Sequence, residues 1–185
     1  MPFIDEVCPG KFLLYGHSMG AYIALSLAEI IPERISVLGL ISASAQEITR
    51  LRKKLKTREK LFIAKGKFEL LLRHSIPSSF MADHCEKNAG IIRKIISEAL
   101  DLKLSVINGS IDAIVSRPNR LHFLKNAGIK VIYLFGAHDS FNDPVLLRME
   151  AEEIDKARIK LFSRSGHFCF LEEQQEFILH LLSLD

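Results

Sequence analysis

Tyr15-Gly16-His17-Ser18-Met19-Gly20 stands between the apolar run Phe12-Leu13-Leu14 and the stretch Ala21-Tyr22-Ile23-Ala24-Leu25-Ser26-Leu27-Ala28. The order reads as a buried strand, a Gly-His-Ser-Met-Gly turn and an amphipathic helix in direct succession. A turn this sharp pushes the serine into strained backbone geometry, and the flanking glycines leave room for helix and strand to approach closely. The Ser18 hydroxyl is then exposed at the carboxyl end of the strand, where a nucleophile would sit. The N–H of Met19 falls at the helix N-terminus, where it can stabilise a developing oxyanion. The same residues also fit a glycine-punctuated loop with a surface serine. The strand before and the helix after favour the nucleophile.

Working outward, residues 1–10 read as the tail of a helix or a loop, closed by Pro9-Gly10. Lys11–Tyr15 is the strand, nearly all apolar as expected when both faces are covered. The helix opening at Ser18 runs to about Ile31 and stops at Pro32. Arg34–Ser42 is the next strand, rich in β-branched and large apolar residues. Strand, helix and strand at this spacing form a right-handed parallel crossover.

From Gln46 to about Ser116 the chain is charged and helical in pattern, with few strand signals. Arg50–Ala64 and Phe68–Arg73 are separated by Gly66, and Ile76-Pro77 makes a second break. Asn88–Leu100 reads as an amphipathic helix with Ile91, Ile92, Ile95, Ile96 and Leu100 on one face. A helical insertion between sheet elements reads as a cap over the site; extra helices packed on the sheet are the alternative. Its apolar residues (Leu61, Phe62, Leu70, Leu71, Leu72, Phe80, Ile91, Ile95) suit an apolar acyl or alcohol group, and equally a plain core. The chain thus divides into a core of residues 1–45 and 117–185 and a cap of residues 46–116.

Beyond the insertion, Arg117-Pro118 opens a helix over Asn119–Asn126 with proline in its first turn, and Gly128 ends it. Ile129–Phe135 is the third strand, followed by Gly136-Ala-His-Asp139. Pro144–Lys156 is a helix whose acidic residues are expected to face solvent. Arg158–Phe162 is the fourth strand, Ser165-Gly166-His167 a turn, and Leu171–Leu184 the closing helix, with Phe177, Ile178, Leu181 and Leu182 as its buried stripe.

A chain of 185 residues that is 48% apolar and 25% charged can bury the core of one globular domain. The net charge of +3 is slight, and the Lys/Arg cluster at Arg50–Lys60 is local, so nucleic-acid binding has little support. Cys8, Cys85 and Cys169 are odd in number and scattered, which reads as reduced thiols in a cytoplasmic protein. No apolar run reaches the roughly 20 residues of a membrane span, and the N-terminus has neither a basic leader nor an apolar core.

Two further strand ends carry partners for Ser18. Asp139 follows the third strand and His167 the fourth, on the edge where an open parallel sheet forms its site. A serine hydroxyl needs a neutral imidazole to take its proton, and the imidazole needs a carboxylate to hold its tautomer. Asp143 is a rival acid, and Asp139 and His167 each also fit a solvated turn. His17 and His138 flank these positions and point elsewhere by register, while His74, His84, His122 and His180 lack a partner pattern. The histidines show no metal-ligand spacing, so neither metal nor cofactor is expected.

The chain resembles the α/β-hydrolase superfamily, and within it the esterase-like members. The similarity is carried by Gly16-His-Ser-Met-Gly20, by Arg117-Pro-Asn-Arg120 leading to Ile129-Lys-Val-Ile-Tyr-Leu-Phe-Gly-Ala-His-Asp139, and by Gly166-His167 followed by Phe170-Leu-Glu-Glu. The resemblance implies a three-layer fold with a mostly parallel sheet and a helical cap. It implies Ser18 as nucleophile, Asp139 as acid, His167 as base, Met19 N–H as one oxyanion donor, and a small-molecule acyl substrate.

The family also carries several strands before the elbow, with a His-Gly-type loop supplying a second oxyanion N–H. Only about ten residues precede the elbow strand here, so those N-terminal strands are missing from the pattern. The expectation is either a fragment of a longer chain or a truncated form with impaired catalysis, and a non-catalytic scaffold is the alternative function. Lys11–Tyr15 would then be an apolar sheet edge, which a homodimer would cover.

Overall fold

A computed structural model describes residues 2–183; Met1, and the end of the expected closing helix at Leu184, lie outside the described residues. Helix α1 (Pro2–Val7) leads to β1 (Phe12–His17), α2 (Met19–Ile30) and β2 (Ile35–Ile41). Helices α3 (Arg50–Ala64), α4 (Phe68–Ser75), α5 (Ala89–Leu100) and α6 (Leu104–Ser116) follow before the chain returns through α7 (Leu121–Asn126) to β3 (Lys130–Gly136). The remainder is α8 (Pro144–Glu152), β4 (Arg158–Phe162), α9 (Cys169–Glu172) and α10 (Gln174–Leu182).

The strands form one parallel sheet in the order β1-β2-β3-β4. Successive side chains point to opposite faces, and each face is covered. On one face Leu38, Leu40, Val131, Tyr133 and Phe135 pack against Ala21, Ala24, Leu25 and Ala28 of α2 and against Leu124 and Leu147. The small side chains of α2 let that helix lie close to the sheet. On the other face Val37, Ile41, Ile132, Leu134 and Phe162 meet Cys169 and Phe177. Among the described residues β1 is an edge, paired to β2 alone, and Leu13 there is 47% exposed.

A third cluster lies in the inserted helices, where Leu72, Phe80, Ile92 and Ile96 pack with Phe168 and Leu171 of the core. Ile92 and Ile96 bear out the α5 stripe, but Leu100 is exposed at its end. Leu61, Phe62 and Leu70 are exposed as well.

Several expectations need correction. Strand β1 begins one residue later than Lys11 and continues to His17, because Gly16 and His17 stay in register with Leu40 and Ile41. Pro118 lies outside α7, which starts at Leu121. Helix α8 stops at Glu152, and its acidic face is not all solvated: Glu150 is 3% exposed. The closing helix is broken at Glu173 (φ −119°, ψ 52°), which rotates its second half so that Phe177 is buried while Ile178 and Leu182 are exposed.

Candidate active site

Ser18 caps the start of α2 with φ 50° and ψ −115°, a backbone region that side-chain-bearing residues rarely occupy. The conformation is held from both sides. Ser18 N–H donates to Ile41 O at 2.9 Å, tying the turn to the end of β2, and Ala21 N–H donates to Ser18 O at 3.0 Å. A Cβ on Gly16 would come within 2.4 Å of Gly20 O and 2.5 Å of Ala21 Cα, so only glycine allows the helix to fold back this tightly. Met19 is the first residue of α2, where a backbone N–H has no acceptor within the helix.

Asp139 follows β3 and is 7% exposed. Its Oδ1 accepts N–H bonds from Phe141 (2.8 Å) and Asn142 (3.0 Å), and both oxygens lie within reach of His167 Nδ1, at 3.1 and 3.0 Å. Burial raises the Asp139 pKa, but the bonds from His167, Phe141 and Asn142 outweigh it and hold the carboxyl below its ordinary value. An ionised Asp139 accepts Nδ1–H and leaves Nε2 of His167 as the free nitrogen. Asp143, the rival acid, instead caps α8 by accepting Val145 N–H at 2.9 Å.

His167 is 4% exposed and its main chain is fixed at both ends. Its N–H donates to Ser79 O at 2.7 Å, and its carbonyl lies 3.0 Å from His17 Nε2. His17 therefore turns towards the site, against the expectation from its register. The two rings lie 4.8 Å apart, with Phe168 and Phe170 also packed on His17. Burial first, and then the adjacent His167, lower the His17 pKa to about 4, so His17 is neutral at ordinary pH.

Ser79 belongs to the insertion, and a Cβ on Gly166 would come within 2.4 Å of its carbonyl oxygen. Glu172 closes the same junction. Its buried carboxylate accepts from Gly166 N (2.7 Å) and Met81 N (2.7 Å) and lies 3.3 Å from His84 Nδ1. His84, expected to be unpartnered, thus faces Glu172, and one carboxylate ties the His167 turn to the inserted segment. The Glu-Glu pair after Phe170-Leu171 was visible in the sequence, but its bonds were not.

Ser18 and His167 open onto one cavity of about 570 Å³, together with Tyr22, Arg117, Phe141 and Phe168. Among the described residues no hydrogen bond joins Ser18 to His167. Ile48, Leu51, Ile76, Ile114 and Leu146 supply much of the apolar wall. Of the apolar insertion residues expected to suit an acyl or alcohol group, none does so: Leu72, Phe80, Ile91 and Ile95 pack in the third cluster, and Leu61, Phe62 and Leu70 face solvent.

A family model of the alpha/beta hydrolase fold matches residues 3–174, nearly the whole chain. The chain belongs to this family. No curated protein sequence matches it. Several solved structures superpose closely on it at low identity. A thermophilic esterase from Thermogutta terrifontis is 19% identical with a TM-score of 0.86, over 98% of this chain and 67% of its own. An esterase from Exiguobacterium antarcticum is 22% identical with a TM-score of 0.85, over 98% and 69%. The enol-lactonase from Burkholderia xenovorans LB400 is 18% identical with a TM-score of 0.85, over 98% and 68%. The chain thus spans about two thirds of the length of these structures. Among the described residues no helix is long and apolar enough to cross a membrane.

Proposed function

We propose that the chain is a serine hydrolase acting on a carboxylic ester or related acyl substrate. The observation that supports this most directly is the strained Ser18 at a strand–helix turn, sharing a cavity with a His167 whose Nδ1 is held by Asp139. In this reading Ser18 Oγ attacks the acyl carbon while His167 Nε2 takes its proton. Asp139 stabilises the imidazolium that results. The Met19 N–H, at the positive end of α2, donates to the tetrahedral oxyanion. His167 then protonates the leaving alcohol; in the second half a water gives its proton to His167 and attacks the acyl carbon, and that proton returns to Ser18 Oγ as the acid departs. Residues 46–116 act as a cap, since Ser79 and the inserted helices reach the His167 turn and line the cavity.

The test is turnover of p-nitrophenyl acetate and butyrate by the parent chain beside Ser18→Ala. Turnover that vanishes with Ser18 is the expected result. Equal rates from both chains would refute the nucleophile, and absence of turnover from a folded parent would favour a scaffold role for the same fold. A fluorophosphonate probe, expected to label Ser18, reads the nucleophile without a chosen substrate.

A further inference from the structure

We propose that the substrate of this site is an ester carrying a carboxylate, a half-ester of a dicarboxylic acid, and that Arg117 binds that carboxylate. The proposal rests on reading Ser18 as the nucleophile and assigns a role to a second residue lining its cavity.

Charges in the cavity wall are unevenly matched. Four carboxylates line it: Glu47, Asp143, Glu150 and Glu153. Glu150 is buried and saturated, accepting from Ala45 N (2.6 Å), Ser44 Oγ (2.5 Å) and Tyr133 OH (2.7 Å). Glu153 is paired with Lys125 at 2.5 Å, and Asp143 caps α8. Glu47 is exposed. Of the three cations, Lys56 is paired with Glu59 at 2.7 Å. The two guanidiniums, Arg52 and Arg117, have no carboxylate partner among the described residues.

Both are nonetheless held in place. Arg117 Nε donates to Gln46 O and Nη1 to Ile114 O, each at 3.1 Å, and its guanidinium lies 4.3 Å over the Tyr22 ring. Three of its five N–H donors remain for a ligand. Arg52 Nη2 donates to Ser140 O at 3.0 Å with the guanidinium 5.9 Å over Phe141. The Arg117 pKa is lowered by burial first and also by Arg52, against the opposing pull of Tyr22 and Glu150. Two like charges facing one half-apolar cavity, each propped on a ring and on main-chain carbonyls, form a site whose missing member is an anion. The planar fork suits a carboxylate. Tyr22 lies in the first turn of α2, which opens directly after Ser18, so Ser18 and the guanidinium held over the Tyr22 ring line the same cavity.

The experiment compares p-nitrophenyl valerate with p-nitrophenyl hydrogen glutarate, in which a carboxylate replaces the terminal methyl. Parent, Arg117→Gln and Arg117→Lys are assayed, each checked for folding by circular dichroism. A charge-assisted pair of this kind is worth about 10- to 100-fold, so the parent should favour the glutarate ester in kcat/KM by at least about 10-fold. Arg117→Gln should abolish that ratio, with Arg117→Lys between them. Binding is read separately, by calorimetric titration of monomethyl glutarate into Ser18→Ala and Ser18→Ala/Arg117→Gln, where the second should bind at least about 10-fold more weakly. A parent ratio near one, or titrations that do not differ, would overturn the proposal. Arg117-dependent binding without turnover of either ester by the parent would keep the carboxylate site and remove the hydrolase reading. Loss of both would remove both.

Discussion

His17 Nε2 lies 3.0 Å from the carbonyl oxygen of His167, so the residue before Ser18 holds the main chain of the residue proposed as its base. With Nε2–H donating, the strand that ends in the nucleophile and the turn that carries the base move as one unit. Replacing His17 by Phe keeps the ring packing against Phe168 and Phe170 but removes the donor. We expect kcat on p-nitrophenyl butyrate to fall about 10-fold, as for one lost positioning bond, with much smaller change in KM. His17→Gln, which can still donate, should recover most of it. Equal kcat in His17→Phe and parent would make the contact mere packing.

The same residue makes stability depend on pH. The folded pKa of His17 is about 4, below its ordinary value of 6.5, so between these pH values the unfolded chain binds a proton that the folded chain does not. Its contribution is therefore fully present above about 6.5, is lost as pH falls towards about 4, and levels off below that. The loss is on the order of 3 kcal/mol at most. His180, also lowered by burial, acts in the same direction, so the quantity to measure is the difference in slope between parent and His17→Phe. Urea denaturation at pH 5, 6, 7 and 8 gives it, and parallel slopes would refute the assignment.

Asp139→Asn leaves Phe141 N–H and Asn142 N–H an oxygen to donate to but offers His167 an amide in place of a carboxylate. The tautomer with Nε2 free is then no longer favoured. A loss of about 10⁴ in kcat is expected, whereas Asp143→Asn, at the α8 cap, should cost only about 1 kcal/mol of stability. Comparable activities for the two variants would reassign the acid.

Gly16→Ala places a methyl 2.4 Å from a backbone oxygen and 2.5 Å from a backbone carbon, neither of which can move without opening the turn. The expected destabilisation is about 2–4 kcal/mol, visible as a lowered Tm, together with slowed fluorophosphonate labelling of Ser18. An unchanged Tm would mean that α2 tolerates a looser approach to β1.

Glu150 anchors the chain as it leaves β2, since its carboxylate gathers Ser44, Ala45 and Tyr133. Glu150→Ala strands three donors in a buried setting and should cost about 3–5 kcal/mol. Tyr133→Phe, which removes one donor and leaves two, should cost about 1 kcal/mol. Similar losses in both would show that the hydroxyl, not the carboxylate, organises the junction.

The elbow, the four strands and the order Ser18, Asp139, His167 were all legible in the sequence because they rest on short-range patterning. An apolar run, a glycine on each side of a serine, or a proline after a helix constrains the chain within a few residues of itself. Only the tertiary structure decided how those pieces meet. His17 and His167 are 150 positions apart, and whether the imidazole of one reaches the carbonyl of the other depends on β1 staying in register through Gly16 and His17. Glu150 looks like any acidic helix residue until β3 places the Tyr133 hydroxyl beneath it. Glu172 acquires its role only when the 77–84 segment brings Met81 N–H to its side chain. The cavity wall drew on Arg117, Tyr22 and Ile114 rather than on the most apolar stretch of the insertion. In each case the deciding contact joins residues far apart in the chain, and its geometry is set by packing density and register, which no local pattern encodes.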